Sequence, residues 1–342
     1  MDRKKQTRQK LKKLQSLWKK CKSLLIVMQD NPDPDAIAAA VALRKLANTA
    51  NLNCSIAHRG SVGRGENRAL VKYLNLNLRP FSQIDIQKFD LTAMIDAQPG
   101  TGNNPFPPDM VPDIVIDHHP FRKTARKAKL SDVRKTYGAT STIMLEYLLQ
   151  AGVTPDMQLA TALLYGIRSD TQDLGRQATA PDIKAIQTLF PLANKRMLSE
   201  IQRGRVQREY FTILSRALCN ARCYEKAIIT SLEEVTIPDM VGEIADLILR
   251  EDSTEWACAY AKYHDQILIS IRTSQIELEA NQVMHKIVSR RGTGGGHDTI
   301  AGGQIPLKKQ TKSEYARLEK IIRQKCIQAI GVNENRWQKL VT

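Results

Sequence analysis

The chain has 342 residues, of which 42% are hydrophobic and 5% aromatic, and its formal net charge is +16. Since single hydrophobic cores rarely grow beyond about 250–300 residues, this length predicts two domains. No apolar run reaches the ~18–20 residues of a membrane-spanning helix, and the basic N-terminus lacks the apolar segment of a signal peptide. We therefore expect a soluble cytoplasmic protein without a membrane span. The positive charge predicts an anionic partner: nucleic acid, a nucleotide or an anionic surface.

The first 22 residues contain ten Lys and Arg but a single Asp. Within this segment four apolar residues recur at spacings of 3, 4 and 3, which is typical of one face of a helix. They are Leu11, Leu14, Trp18 and Cys21. We predict a basic N-terminal helix (1–22) whose apolar face packs on the first domain. A role of its basic face in binding RNA or a membrane surface is the alternative.

Residues 23–191 alternate short apolar runs with helix-forming stretches. The apolar runs predict strands at 24–28, 54–57, 91–95 and 114–116. The longer periodic stretches predict helices at 35–50, 66–74, 139–151, 156–168 and 181–190. Such alternation predicts an α/β domain, a parallel sheet with helices on both faces.

A long charged stretch follows, and we interpret residues 192–222 as a helical linker broken only by Gly204. Residues 223–332 predict a smaller α/β domain with a mixed sheet. Its expected elements are strands at 226–231, 255–263, 266–273 and 304–306, helices at 239–250, 279–290 and 313–330, and a glycine-rich loop before the last strand. We expect the tail, 333–342, to be loose.

Acidic side chains follow three of the predicted strands of the first domain. They are Asp33 and Asp35 after the first, Asp96 after the third, and Asp117 in the sequence Asp117-His118-His119 after the fourth. Because ligands of open parallel sheets bind outside the carboxyl ends of the strands, these groups should converge with Asp170, which follows a helix. Carboxylates with imidazoles suit Mn²⁺, Mg²⁺ or Co²⁺. For the first turn alone, a structural role is equally compatible, with Asp35 as a helix cap and Asp33 as a solvated turn residue.

Several strings of the sequence resemble the DHH phosphoesterases, and within them the RecJ-like branch of oligoribonucleases and 3′-phosphoadenosine-5′-phosphate phosphatases. In the first domain they are NPDPDAIAAA (31–40), IDAQPG (95–100), IDHHP (116–120), YGATST (137–142) and GIRSDT (166–171). In the second they are SIRTS (270–274) and GTGGGHDTIAGG (292–303), which resemble the DHH-associated domain. The resemblance covers residues 24 to about 330.

The resemblance implies a site with two divalent ions, Mn²⁺ in the first instance and Mg²⁺ or Co²⁺ as alternatives. One ion is expected on Asp33 and Asp96, and the other on Asp35, Asp96, His118 and Asp170. As catalytic residues it implies Asp117, His118 and His119, of which Asp117 orients an imidazole and His119 reaches the phosphate or the leaving group. The family usually has His at the position of Gln29, so Gln29 is either a weaker ligand or a tolerated change.

The resemblance also assigns substrate binding to the second domain. The glycine run Gly294, Gly295 and Gly296, with His297, lets backbone N–H groups approach an anion at the start of a helix. Arg272 is placed by strand alternation on the polar face with Ser274, where it is able to clamp a phosphate. The alternative for Arg272 is an ordinary surface side chain.

The leading hypothesis is therefore a phosphoesterase (exoribonuclease or nucleotide phosphatase) that hydrolyses short oligonucleotides (nanoRNA) or a nucleoside 3′,5′-bisphosphate (pAp) by two-metal activation of water. A phosphodiesterase for cyclic or linear dinucleotides is a second hypothesis. A non-catalytic nucleotide- or RNA-binding protein is a third, because of Gln29. The resemblance makes a homodimer plausible.

Overall fold

The computed structural model describes residues 3–275, 279–297, 299–309 and 311–341, and the side chain of His297 lies outside this description. The chain forms two compact units, Met1–Arg205 and Val206–Thr342. Within the described ranges, no helix combines the length and the apolar character needed to cross a bilayer.

The first unit is a parallel α/β domain. Its strands are β1 (Ser23–Val27), β2 (Asn53–His58), β3 (Arg79–Pro80), β4 (Leu91–Ile95), β5 (Ile114–Asp117) and β6 (Leu130–Val133). Its α-helices are α1 (Arg3–Trp18), α2 (Pro34–Asn48), α3 (Gly65–Tyr73), α4 (Thr140–Gln150), α5 (Met157–Asp170), α6 (Ala180–Leu189) and α7 (Lys195–Gln202). The strand order is β3-β2-β1-β4-β5-β6, so the direction of winding reverses between β1 and β4.

The two faces of this sheet are covered differently. Leu24 and Ile26 of β1 pack with the α-helices in one large core. Leu25 and Val27 point to the other face and pack in a smaller core with Ala125. Helices on this second face are short 3-10 turns, Phe81–Gln83, Ile86–Lys88 and Lys123–Lys127. The parallel sheet between helices is confirmed, with α-helices on one face and 3-10 helices on the other.

Helix α1 is an integral part of the first unit. Leu11, Leu14 and Trp18 are buried, as their spacing predicts. The Thr7 hydroxyl donates a hydrogen bond of 2.8 Å to Glu146 on α4, and Lys10 Nζ donates to the carbonyl of Ser131 on β6 at 2.5 Å. The apolar face of the helix is therefore docked, and cations such as Lys12 and Lys13 are exposed on its other side.

The second unit contains a mixed sheet. Its strands are β7 (Arg222–Tyr224), β8 (Ala227–Glu234), β9 (Trp256–Tyr263), β10 (Gln266–Thr273), β11 (Thr293–His297), β12 (Ile300–Pro306) and β13 (Gln338–Lys339). Its helices are α8 (Arg208–Asn220), α9 (Asp239–Ile248), α10 (Ala280–Val288) and α11 (Lys312–Ile330). The order is β11-β12-β10-β9-β8-β7-β13, with β8 and β9 parallel and the other pairs antiparallel.

Three local expectations differ from the structure. The glycine-rich segment forms an edge strand, β11, because the backbone of β12 supplies its hydrogen-bond partners. The element that follows it is therefore this strand and not a helix. The tail is tied down, since β13 pairs with β7 and Arg222 stacks on the Trp337 ring at 4.2 Å. The predicted linker is interrupted at Gly204 by a closely packed turn and not by an open loop, since a Cβ on Gly204 would lie 2.1 Å from the carbonyl carbon of Gly65.

Candidate metal centre

The candidate site lies at the carboxyl edge of the first sheet, where β1 and β4 diverge. The loops after β1, β4 and β5 meet there with the N-terminus of α4 and the last residue of α5. This is the position at which open α/β sheets bind their ligands, because diverging crossovers leave a crevice there. The sequence predicts the strand ends, but the strand order that brings them together is a property of the fold.

Asp33, and not Asp35, is the N-cap of α2. One of its carboxylate oxygens accepts a hydrogen bond from Ala36 N at 2.9 Å, and the other accepts one from Gln29 Nε2 at 2.8 Å. Burial and the nearby charge of Asp170 raise the pKa of Asp33. Gln29 thus holds the Asp33 carboxylate through its amide nitrogen. The neighbouring Asp30 is engaged by Arg59, with Nε 2.9 Å from Oδ1.

Asp35 belongs to α2 and is 1% exposed, and its side chain contacts the N-terminus of α4. Its carboxylate accepts hydrogen bonds from Thr140 N at 2.6 Å and Ser141 N at 2.8 Å. It therefore caps α4, a helix distant in sequence, where the helix dipole favours a negative charge. Burial and the charge of Asp170 raise the pKa of Asp35 to about 7.

Asp96 is the centre of the acidic group. It is 1% exposed and adopts a left-handed backbone conformation with φ 55°. Thr140 Oγ1 donates a hydrogen bond of 2.7 Å to its Oδ1. Burial, followed by the charges of Asp35 and Asp33, raises the pKa of Asp96 well above its usual value. A buried carboxyl among like charges is stabilised by a cation.

His118 points its Nε2 atom at two carboxylates. Nδ1 lies 3.2 Å from the carbonyl oxygen of Tyr137, to which it donates, so Nε2 carries the lone pair of the neutral ring. Nε2 lies 3.0 Å from Asp170 Oδ2 and 3.7 Å from Asp96 Oδ1. It is buried, and within the described part of the chain no hydrogen bond of good geometry reaches it. Although burial acts to lower it, the pKa of His118 is raised to about 10 by Asp170 and the other carboxylates.

His119 is held by Asp117, the last residue of β5. Nδ1 of His119 lies 2.8 Å from Asp117 Oδ1, and the other oxygen of Asp117 accepts a hydrogen bond of 2.5 Å from Gln98 Nε2. Burial acts to raise the pKa of Asp117, but the hydrogen bond from His119 and the charges of both imidazoles outweigh it and lower the pKa. Asp117 is therefore an ionised carboxylate that orients an imidazole.

Asp170 closes the group from the end of α5. Burial acts to raise its pKa, but the imidazole of His118, whose Nε2 lies 3.0 Å from Oδ2, lowers it. Arg176 folds back on this residue, with Nη2 3.0 Å from its carbonyl oxygen and 3.9 Å from its carboxylate. Arg168 points instead to Asp173, at 2.5 Å. Of these two arginines, the structure brings Arg176 to the site.

The donor set fits a hard divalent cation. Two groups of three side chains have donor atoms within 4.8 Å of one another: Asp35, His118 and Asp170, and Asp96, His118 and His119. Carboxylate oxygens with one or two imidazoles are ligands of Mn²⁺, Mg²⁺ and related ions. The Nε2 atom of His118, which has no hydrogen-bond partner among the described residues, and the raised pKa of Asp96 also indicate a cation site. A bound cation would accept the Nε2 lone pair and would neutralise the Asp96 carboxylate. Asp33 and Gln29 lie outside these two groups.

Sequence reasoning missed the residues that support these donors. Gln98 donates to Asp117, and Thr140 and Ser141 hold Asp35 and Asp96. All three belong to motif strings noted above, but no role is predicted there for Gln98, Thr140 or Ser141. Their partners lie far away in the chain, so no local signal identifies them.

In the second unit, Arg272 is 8% exposed and its side chain is already engaged. Its Nε lies 2.5 Å from Asp246 Oδ1 on α9, and its Nη1 donates to Ser270 Oγ at 2.7 Å. Ser274 is exposed, and its backbone nitrogen donates to the carbonyl of Glu255. Arg272 is thus neither a surface residue nor an unpaired clamp.

The predicted glycine run forms part of an open strip of backbone. Gly294 packs under Met284 of α10, with a hypothetical Cβ 2.7 Å from Met284 Cγ. Gly295 pairs with Gly302, and a Cβ on either meets no atom of the described residues within 4 Å. The backbone is therefore bare on the face opposite α10. The predicted role of the His297 side chain falls outside the described residues.

Two family models match the chain. The DHH family, N-terminal domain, matches residues 23–167, and the DHHA1 domain matches residues 225–325. An uncharacterized protein of Methanocaldococcus jannaschii is 34% identical over 319 residues, which cover 91% of this chain and 65% of that protein. The chain thus spans less than two thirds of the length of this relative.

Solved structures with the same fold are also found. An exopolyphosphatase-related protein from Bacteroides fragilis superposes with a TM-score of 0.72 at 13% identity, covering 94% of this chain and 98% of that chain. RecJ from Thermus thermophilus, solved in complex with Mn²⁺, superposes with a TM-score of 0.55 at 14% identity, covering 93% of this chain and 55% of that chain. At these identities the likeness establishes a shared fold.

Proposed function

Since the chain belongs to the DHH family and carries a C-terminal DHHA1 domain, we propose that it is a metal-dependent phosphoesterase. Its substrates are short oligonucleotides (nanoRNA) or a nucleoside 3′,5′-bisphosphate (pAp), and its metal is Mn²⁺. The observation that carries the proposal is the convergence of the buried Asp35 and Asp96 with the half-buried His118 and Asp170. The Mn²⁺ complex of the RecJ structure supports the choice of metal.

The protein's own residues have distinct parts in this reaction. Bound divalent ions lower the pKa of water and neutralise charge on a phosphoryl group. Asp96, Asp35 and Asp170 would supply carboxylate ligands to such ions, and Gln29 holds the carboxylate of Asp33. Tyr137 fixes the His118 ring so that Nε2 faces the carboxylates. Asp117 orients the His119 ring through Nδ1, and in this proposal Nε2 of His119 gives a proton to the departing oxygen.

Substrate binding is assigned to the second unit. The bare backbone of Gly295 and Gly302 suits close approach of a nucleotide, because no side chain intervenes. Arg272 would contribute through the charge of its Asp246-bound guanidinium, and Ser274 through an exposed hydroxyl. Cytoplasmic location and a homodimer complete the proposal.

The test is a substrate panel with full-length protein and Mn²⁺, Mg²⁺ or Co²⁺. We expect mononucleotides from a labelled trimer RNA, or AMP and phosphate from pAp. Asp96→Asn should lower the rate by about 10³-fold or more, because several kcal/mol of metal-derived stabilisation is lost. Asp109→Asn, an exposed loop carboxylate, is the matched control and should keep the wild-type rate.

One observation favours a second function, a non-catalytic nucleotide-binding protein. Gln29 stands where the family resemblance predicts His, and its amide nitrogen binds Asp33. If this change has removed catalysis, the panel shows no turnover with any metal while nucleotide binding persists. Gln29→His then separates the cases: restored turnover assigns the loss to position 29, and continued inactivity places the cause elsewhere.

A further inference from the structure

A basic strip leads away from the metal centre along the surface of the first unit. We define it as residues 121–127, with the sequence FRKTARK, which contains four cations and no acid. Phe121 is 43% exposed, and Arg122, Lys123, Arg126 and Lys127 are also exposed. The guanidinium carbon of Arg126 lies 5.6 Å from the centroid of the Phe121 ring.

The cations of the strip lack carboxylate partners among the residues that the structure describes. Within the described ranges, none of the four lies within 4.0 Å of a carboxylate, whereas Lys129, just beyond the strip, pairs with Asp113 at 2.7 Å. A row of unpaired cations beside an exposed aromatic ring matches a single nucleic-acid strand, whose phosphates are anionic and whose bases stack on aromatic side chains.

The strip is also fixed in place relative to the metal centre. It begins two residues after His119, and Gln98 joins the two, since its Nε2 donates to Asp117 while its Oε1 accepts from Arg122 N at 2.7 Å. Ala125 is fully buried in the core of the second sheet face, so the intervening turn is anchored. The surface is therefore held by the structure and needs no partner to order it.

The N-terminal helix is a competing basic surface, and the structure distinguishes the two. Lys12 and Lys13 are exposed on α1, and Lys19 and Lys20 are exposed just after it. The aromatic residue of α1, Trp18, is only 3% exposed and packs in the core. Helix α1 therefore offers charge alone, whereas the strip offers both charge and a stacking surface.

We propose that the basic strip is a docking surface for the part of a single-stranded oligonucleotide that extends beyond the terminal nucleotide at the metal centre. This inference rests on the proposed function, which places the scissile phosphate at the metal centre. Phe121 stacks on a base and the cations contact the sugar-phosphate backbone, so the surface selects single strands longer than a dinucleotide. RNA and DNA both carry this chemistry.

Binding of fluorescein-labelled five-nucleotide RNA and DNA to the full-length protein in EDTA, measured by anisotropy, tests the inference. Phe121→Ala should weaken binding roughly 5- to 150-fold, the range of one base–aromatic stack. Arg126→Ala/Lys127→Ala should weaken binding and reduce the slope of log K against log salt by about 1.4, or ~0.7 per lost phosphate contact. Lys12→Ala/Lys13→Ala on α1, which removes the same charge, should change affinity much less. Dinucleotide affinity should respond little to any of these variants.

The outcomes separate this inference from the proposed function because binding is measured without metal. If the strip variants lose affinity for RNA, DNA or both, the docking surface is supported and the type of strand that it binds is identified. This conclusion holds even if no metal supports hydrolysis. Wild-type affinity in the Phe121 and Arg126/Lys127 variants, an equal loss in the α1 variant, or absence of oligonucleotide binding at low salt each overturns it, whatever the hydrolysis assay shows. Thermal melts of the same variants check that these exposed substitutions leave the fold intact.

Discussion

Asp96 combines several features that are unfavourable for folding. Its φ of 55° is uncommon for a residue with a Cβ, and such strain costs about 1–3 kcal/mol. Its carboxyl is buried among Asp35 and Asp33, which raise its pKa. Residues of this kind persist where function requires them, and a bound cation would offset the repulsion between the carboxylates.

At the same scale, we predict that metal-free protein loses stability as pH rises from about 4 to 7. Burial and the charge of Asp170 raise the pKa of Asp35 from 3.8 to about 7. Because the folded state binds this proton more tightly than the unfolded state, the stabilisation is complete below about pH 4 and is lost as pH rises through about 7. Asp33 and Asp96 shift in the same direction.

Thermal unfolding in EDTA between pH 4 and 8 checks this prediction. Asp35→Asn should reduce the fall of melting temperature with pH, because the titrating carboxyl is gone. Asp109→Asn should leave the pH dependence as in the wild type, since this loop residue is exposed. Identical pH profiles for the wild type and Asp35→Asn would contradict the assignment.

At the scale of elements, backbone contacts decide which segments are rigid. Gly204 follows α7 and would be expected from composition to be a hinge. Its α-carbon instead packs against Gly65 at the start of α3, with a hypothetical Cβ 2.1 Å from backbone. The close approach joins α3 and α7 within the first unit.

Gly204→Ala should therefore destabilise the first unit by roughly 1–3 kcal/mol, the usual cost of overpacking. Gly302→Ala is the matched control, because its added methyl meets no atom of the described residues within 4 Å. Melting temperatures of the two variants give the comparison. Equal melting temperatures would show that α3 and α7 separate without cost.

The N-terminal helix makes a second prediction at this scale. Trp18 is 3% exposed in the main core, so Trp18→Ala should cost about 3–5 kcal/mol. Lys12→Ala/Lys13→Ala on the exposed face should stay within about 0.5 kcal/mol of the wild type. Denaturant unfolding measures both. A stable Trp18 variant would mean that α1 is an accessory arm and not part of the core.

For the whole molecule, the division into two units localises the chemistry. Every side chain of the two candidate metal groups belongs to Met1–Arg205. Of the residues proposed for substrate binding, Arg272 and Ser274 belong to Val206–Thr342, whereas the basic strip belongs to the first unit but contains no residue of the metal groups. Metal binding and substrate binding are thus expected to respond to different substitutions.

We accordingly predict that Mn²⁺ raises the melting temperature of the full-length protein. At a free concentration 100 times Kd the stabilisation is about 2.7 kcal/mol. Asp96→Asn should abolish the shift, whereas Arg272→Ala should preserve it because Arg272 lies in the other unit. Calorimetry with and without Mn²⁺ provides the measurement. A shift that disappears in Arg272→Ala and survives in Asp96→Asn would place the metal elsewhere.

Much of the fold could be predicted because its signals are local. The strand at 91–95 is predicted to the residue, and the buried positions of α1 follow from its 3-4 spacing. Strand β11 could not be predicted, because Gly294, Gly295 and Gly296 have no β propensity and pair only because β12 lies alongside. The capping role of Asp33 was assigned to Asp35 for a similar reason: the true partner of Asp35 is 105 residues away, at Thr140 N.

Sequence patterns are sufficient to predict a parallel α/β domain followed by a mixed-sheet domain, and acids and histidines after the strands of the first domain. These features depend on hydrophobic periodicity and on residue type at strand ends, and both can be read from short segments of the sequence. The folded structure is needed to see that β1 and β4 are neighbours, that Asp35 caps α4, and that Gln98 joins the metal centre to the basic strip. Such contacts bring together residues that are distant in the chain, and no local pattern encodes them.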